Sequence, residues 1–533
     1  MSGESQRLSV DDLPDEILCN VFLSNTVGEG QTVRETLIST CLVCKRWHTL
    51  LASYPLIWSR VIDFEKDSPE CVAELLRRSG ATPFEVGGTS VFEAVRQQNR
   101  HSIRTLQSIF EHNSRVKTMN LNIRYAPWEL ICKDFLSYPA PNLEFLNLIT
   151  SCPFPNCSHD GPLFANQAPR LTRFHMQRCL TDFSSPTLHN LTDLSVFDIV
   201  APEQPAFMPQ ANSHTKLAPT VLGWLQILQN MPSLRYLTLV NSVTRTAVND
   251  EVFIRTILPD LHLLSLCSFF DEGSTILDRL DIPASCGIRL KCTARHSATP
   301  SSGSKLLAAL SHQLTHWPKG SARRYLQAKL LDGDRVHFGN SRRIGLIWNV
   351  TEKEELANHA RSSPDPLVWL VLDFNDDMLA RRFLGQLLAI YETTHSTITC
   401  LDFWIDEVST STTGDIASLG TLVNYISWFT NLEMLNLIGQ SPVHILPLFK
   451  ALSTPDHIIF PHLRSVHLTG TIFEPSSNQV SLAVIGFLVQ RVELQAPLAE
   501  LWIVDGEIPQ PTRLNLEVVG GVKVMIKKKG IGI

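Results

Sequence analysis

"NLEFLNL", residues 142–148, sets Leu143, Leu146 and Leu148 in the pattern apolar-x-x-apolar-x-apolar. Its last two apolar residues are two apart, the period of a strand with one buried face. The template recurs in "RLTRFHM" (170–176), "NLTDLSV" (190–196), "SLRYLTL" (233–239), "DLHLLSL" (260–266) and "LVWLVL" (367–372). It returns at Ile398/Leu401/Phe403, Leu432/Leu435/Leu437 and Leu463/Val466/Leu468, and Val116/Met119/Leu121 and Leu498/Leu501/Ile503 extend it at the two ends. Several copies follow a helical stretch, as in "VLGWLQILQNMPSLRYLTL" (221–239) and "LVNYISWFTNLEMLNL" (422–437). Each unit reads as helix, turn and short strand, and a unit that cannot bury its own face must stack on its neighbours.

This organisation resembles leucine-rich repeats over residues 116–506. The spacing is irregular, mostly 20–43 residues, with a long gap between 266 and 367. Only the partial matches "CGIRL" (286–290) and "RRIGLIW" (342–348) fill that gap. The Asn or Cys that the family places after the strand is mostly missing, although Cys179 fits. An ordinary α/β domain with parallel strands is the alternative. Polar loops are expected at 201–219, 297–304 and 407–421.

The front of the chain differs. In "LPDEILCNVF" (13–22), Leu13, Ile17, Leu18, Val21 and Phe22 follow a helical stripe. Asp11 or Asp12 is the expected cap, Pro14 suits the first turn, and Asp15 and Glu16 suit the positive end of the dipole. Further helices are expected at about 32–42 and 43–52, with Pro55 as a stop and Trp58 as an anchor beyond it. Three short helices have more apolar surface than they can bury among themselves, which predicts a partner, either the rest of the chain or another protein. "LPDEIL", "VCKRW" (43–47) and "PLIW" (55–58), in that order, resemble the F-box motif over about residues 8–60. The polar "NTVGEGQ" (25–31) is longer than the family's usual loop.

In that family the module binds the Skp adaptor of cullin-RING ubiquitin ligases. The resemblance implies adaptor-facing and core positions at Leu13, Pro14, Ile17, Leu18, Phe22, Leu42, Val43, Trp47, Leu50 and Trp58. The chain is similar to the many F-box proteins of mushroom-forming fungi, which implies no specific substrate.

The expected fold class is α/β: a three-helix F-box (1–60), a helical connector (61–115), an irregular repeat solenoid with a parallel strand ladder and outer helices (116–506), and a tail (507–533). In the connector, "DSPECVAELLRRSGA" (67–81) reads as a helix capped by Ser68 and ended by Gly80.

Composition sets bounds. The 533 residues are 44% hydrophobic and 18% charged with net charge −6, which fits an ordered chain and disfavours nucleic-acid binding. No run of eighteen apolar residues predicts a membrane span, and "MSGESQRLSVDD" has no secretory h-region. The 12 cysteines are scattered, as expected of reduced thiols in a core.

Three small clusters invite a metal or redox reading: Cys41/Cys44, His312/His316, and Cys152/Cys157/His159. None has a complete ligand set by spacing. No phosphate-binding loop, nucleophile elbow or zinc-protease helix is present. Lys527–Lys529 reads as a solvated tail or a weak nuclear signal.

The expected role is therefore attachment, with no enzyme activity, metal or cofactor. The resemblance implies a substrate receptor of an SCF-type ligase, in the cytoplasm or nucleus. The alternative is an F-box scaffold acting without ubiquitylation. The strand face opposite the buried leucines collects the expected target-binding residues Phe145, Arg173, His175, Tyr236, Trp369, Trp404 and Trp502.

Overall fold

In the computed structural model the chain opens with four helices, α1 (Asp15–Ser24), α2 (Gln31–Cys41), α3 (Lys45–Ala52) and α4 (Pro55–Arg60). The structure describes residues 10, 13–25, 31–64, 66–87, 100–123, 135–150, 159, 161–200, 218–244, 254–283, 285–293, 300–315, 324–332, 342–349, 367–374, 398–405, 429–438, 449–450, 452–453, 458–471, 473 and 479–527. The proposed caps Asp11 and Asp12 lie outside them. Pro14 is the last residue before α1, one position earlier than the sequence suggests. The fourth helix is a departure from the three expected. Pro55 ends α3 but also starts α4 at its first position, where a missing N–H is harmless. α5 (Pro69–Arg78) follows as expected: Ser68 Oγ accepts from the Cys71 N–H at 3.2 Å, and Gly80 takes φ 54°.

The chain forms two compact units, Met1–Thr244 and Arg245–Ile533. In the first, β1 (Phe84–Val86), β2 (Val116–Ile123), β3 (Phe145–Thr150), β4 (Arg173–Gln177), β5 (Asp193–Phe197) and β6 (Tyr236–Val240) pair in chain order, all parallel. The ladder thus begins inside the expected connector.

The second unit contains β7 (Thr256–Ile257), β8 (Leu263–Phe269), β9 (Leu280–Asp281), β10 (Gly287–Thr293), β11 (Arg324–Asp332), β12 (Arg342–Asn349) and β13 (Leu367–Phe374). β14 (Ile398–Ile405), β15 (Met434–Ile438), β16 (Ser465–Thr469), β17 (Glu500–Val504) and β18 (Lys523–Lys527) complete it. Its ladder runs β8-β10-β13-β12-β11-β14-β15-β16-β17-β18, while β7 pairs with β9 alone. "CGIRL" leads into the parallel strand β10, but "RRIGLIW" lies in β12, which is antiparallel to both its neighbours. Residues 507–533, read as a tail, instead supply α11 (Gln510–Gly520) and β18, which extends the ladder beside β17.

The repeat template maps onto this ladder position by position. Its second apolar residues pair as Leu146, Phe174, Leu194 and Leu237, and its third as Leu148, Met176, Val196 and Leu239. All eight are buried. In the second unit, Leu435, Val466, Leu501 and Val524 form the same kind of row. The first apolar residue sits in a tight turn before the strand. Leu143, Leu171, Leu191 and Leu234 each donate their N–H to the carbonyl three residues back, at 3.1 to 3.2 Å, and all are buried. Each such leucine stabilises by about 1.5–3 kcal/mol through burial.

A second turn closes five of the described strands. Arg178, Asp198, Asn241, Gly470 and Asp505 follow β4, β5, β6, β16 and β17 with φ between 48° and 73°. The next residue is buried in each case, and at Cys179 and Ser242 it makes the kind of bond for which the family's Asn or Cys is expected. Cys179 Sγ donates to the Gln177 carbonyl at 3.1 Å, and Ser242 Oγ lies 2.8 Å from the Val196 carbonyl of the preceding strand. At Ser242 a hydroxyl takes the place of the family's amide.

The return segments differ in length, and so does their structure. α6 (Arg100–Glu111) precedes β2 and α7 (Val221–Gln229) precedes β6. The described residues of the returns before β4 and β5 contain 3-10 turns, Leu163–Asn166 and Pro186–Leu188. The second unit carries α8 (Phe270–Arg279), α9 (Pro300–Thr315), α10 (Gln479–Glu493) and α11.

Two arginines clamp carbonyls that regular pairing leaves open. Arg115 donates to the Thr82 and Leu76 carbonyls at 3.1 and 3.2 Å and to Ser79 Oγ at 2.6 Å, tying the end of α5 to β2. Arg491, on α10, donates to the carbonyls of Ile459, Phe460 and Leu463, each at 3.2 Å, and burial pushes its pKa down to about 10. It remains charged at neutral pH. Arg491→Met should therefore strand three buried carbonyls and destabilise the second unit by roughly 2–4 kcal/mol. Chemical denaturation of the full chain followed by hydrogen exchange in 458–504 checks this. An unchanged midpoint with unchanged protection would show that the carbonyls find other partners.

Candidate functional site

The front helices converge on one core of Leu18, Phe22, Leu37, Leu51, Ile57, Val61 and Leu75. Leu75 belongs to α5, so the rest of the chain covers part of the apolar surplus, one of the two partners expected from the sequence. Phe22 meets Trp47 edge-on, with ring centres 5.1 Å apart. The Trp58 indole donates to the Leu51 carbonyl at 2.9 Å, and the Arg78 guanidinium lies 4.9 Å from its ring centre.

Charged contacts lock the motif blocks together. Arg46 donates to Asp15 Oδ1 and to the Leu13 carbonyl, both at 2.6 Å, which joins "KRW" to "LPDE". Arg34 forks onto the Asp67 carboxylate and donates to the Val61 carbonyl at 3.0 Å, which joins α2 to the segment before α5. Cys44 caps α3 by accepting the Trp47 N–H at its sulfur, 3.5 Å away.

This core sorts the expected adaptor residues. Leu18 and Phe22 are interior and support the module without presenting a surface. Leu13, Trp47, Leu50 and Trp58 are half-buried against the core. Pro14 is exposed. The apolar side chains that face outward are Ile17 (46% exposed), Leu42 (79%) and Val43 (61%). Val21 and Ile38 join them, and neither was singled out from the motif. Their signal was present: Ile17/Val21 and Ile38/Leu42 are i,i+4 pairs, each adjacent to a buried pair or residue on the same helix. The result is one apolar stripe on α1 and another running off the end of α2. Such exposure is the composition of a contact surface.

The second candidate surface is the ladder face opposite the leucines. In β3, β4 and β6 burial alternates with period two, so Phe145, Arg173, His175 and Tyr236 stand away from the core. Phe145, Arg173, Asp193 and Tyr236 are register partners on successive strands. Asn147 and His175 are partners one step along, and Asn147 donates to Asn120 Oδ1 at 2.9 Å. His175 packs edge-on to Phe145 at 5.1 Å, and its Nε2 lies 3.2 Å from Asp193 Oδ2. That approach lacks hydrogen-bond geometry, so it is a charge contact only when the ring is protonated.

In the second unit, Asn436, His467, Trp502 and Met525 share one register row. The Trp502 indole donates to Glu500 Oε2 at 2.8 Å and its ring centre is 5.6 Å from His467. Trp369 and Trp404 occupy β13 and β14, but their side chains lie outside the described residues.

Of the other clusters, Cys152, Cys157 and His316 lie outside the described residues. Among the described residues no group of three His, Cys, Asp or Glu side chains is placed to hold a metal. The Ser195, Asp193 and His175 cluster is not a hydrolytic triad in its order. Ser195 Oγ donates to Asp193, at 3.3 Å, and not to the histidine that would have to activate it.

The division into core and surface is measurable. Phe22→Ala should destabilise the front module by about 3–5 kcal/mol, whereas Ile17→Ser should change it by less than about 1 kcal/mol. Hydrogen exchange across 15–60 reads both. Equal losses for the two would show that Ile17 is interior.

Comparison with known proteins agrees with this geometry. Residues 10–63 match the F-box-like family model. No curated protein matches the chain. Among solved structures, a leucine-rich-repeat protein of Leptospira interrogans aligns over 87% of this chain and 93% of its own, at 13% identity and a TM-score of 0.31. The helices at the front are an F-box-like domain, and the strands behind it form a ladder that resembles leucine-rich repeats.

Proposed function

We propose that this chain is the substrate-recognition subunit of a cullin-RING ubiquitin ligase of the SCF type. The F-box-like domain contacts a Skp-type adaptor and the ladder holds a protein target, in the cytoplasm or the nucleus. The observation that supports this reading most directly is the outward apolar side chains of Ile17 and Val21 on α1 and of Ile38, Leu42 and Val43 at the end of α2, on a module whose own core is already filled. A filled core has no use for five exposed aliphatic side chains, while an adaptor does.

The contribution to catalysis is proximity. Holding a target beside a loaded ubiquitin-conjugating enzyme raises the effective concentration of its lysines. The Arg115 clamp between α5 and β2 supports that role within the first unit, because a rigid joint preserves the distance from adaptor to target.

Ile17→Asp combined with Leu42→Asp should weaken adaptor binding by at least about 2 kcal/mol, roughly thirtyfold, and leave the fold intact because both side chains are exposed. Affinity purification of the full chain reads adaptor and cullin together. Undiminished adaptor recovery would refute these side chains as the contact, and adaptor without cullin would favour a scaffold. Replacing Trp369, Trp404 and Trp502 with Ser should abolish target capture while the adaptor still co-purifies.

A further inference from the structure

Three arginines cluster where β4 and β6 begin: Arg170 and Arg173 around the start of β4, and Arg235 just before β6. All three are exposed. Among the described residues none of the three guanidiniums has a hydrogen bond or an ion pair. The anions of this region are already engaged. Asp193, the register partner of Arg173, accepts from Ser195 at 3.3 Å and has His175 Nε2 at 3.2 Å. Glu85 and Glu144 both lie 3.7 Å from Lys117 Nζ. The carboxylates have partners and the guanidiniums lack them.

Arg173 is nevertheless held in place. Its guanidinium carbon lies 4.7 Å from the centre of the Phe145 ring. Stacking restrains the planar fork without using its N–H donors, which remain available for a bidentate anion. Tyr236 is 43% exposed and shares the register row, two strands away, or about 10 Å. The row therefore offers a restrained anion fork and an aromatic ring on either side of Asp193, whose carboxylate accepts from Ser195.

We propose that this end of the ladder docks an acidic segment of the protein target. One anionic side chain is taken by the Arg173 fork, an apolar side chain lies against Tyr236, and Arg170 and Arg235 add long-range attraction. This rests on the reading of the ladder face as target-binding. A carboxylate and a phosphorylated hydroxyl present the same chemistry to the fork, so the test must separate them.

The test is fluorescence anisotropy of the full chain with three labelled peptides of one parent sequence. Each alternates tyrosine with glutamate, glutamine or phosphoserine. The glutamate peptide should bind at least about tenfold tighter than the glutamine peptide, and added salt should narrow that gap. Arg173→Gln should remove most of the difference and Arg173→Lys should restore part of it, since an ammonium supplies charge without the fork. Lys305→Gln, an exposed charge change on α9, should leave it unchanged. Preference for phosphoserine alone, lost in Arg173→Gln, supports the anion fork and assigns phosphate as its ligand. Equal binding of all three peptides, or a preference untouched by Arg173→Gln in a variant that melts like the parent, overturns the proposal. If the tryptophan replacements still abolish target capture in that case, only the anion assignment fails. If target capture survives both sets of variants, the face itself is the wrong surface.

Discussion

Parallel pairing obliges the chain to travel back the length of every strand before the next can begin. That return must cover the buried face of the ladder, and seven of the returns here end in the same way. A buried leucine enters a tight turn, its N–H closes on the carbonyl three residues earlier, and the strand starts immediately after. The turn repeats at Leu143, Leu171, Leu191, Leu234, Leu261, Leu432 and Leu463, although the segments leading to it range from 3-10 turns to full helices. A constant ending lets the returns vary without disturbing strand register.

The same constraint explains the buried arginines. A return of irregular path leaves carbonyls with no strand or helix partner, and a buried carbonyl without a donor is costly. Arg491 supplies donors to three of them and Arg115 to the end of α5. A long side chain with five donors reaches where backbone cannot. Charge is retained in both cases because guanidinium stays protonated even when burial lowers its pKa.

Function follows from the faces that these constraints leave over. On the ladder, period two commits alternate residues to the core, so Phe145, Arg173, His175 and Tyr236 are presented on rigid strands and not on loops. On α1, Leu18 and Phe22 fill the core while Ile17 and Val21 remain outside. Each surface is built from side chains that the fold does not consume.

Residue order alone determined the strands that carry the apolar template, the two buried rows and the capped helix after Ser68, because periodicity and capping are local. The motif blocks of the F-box-like domain were equally legible. The sequence could not say which of two neighbouring stripes on α1 faces inward. Ile17/Val21 and Leu18/Phe22 are similar in hydropathy and spacing, and only packing against α3 and α5 separates them. Nor could it show that "RRIGLIW" runs antiparallel, or that residues 510–527 add a helix and a strand. Strand direction and membership depend on which partner lies alongside. That is a non-local choice, made by burial and hydrogen bonding between segments far apart in the chain.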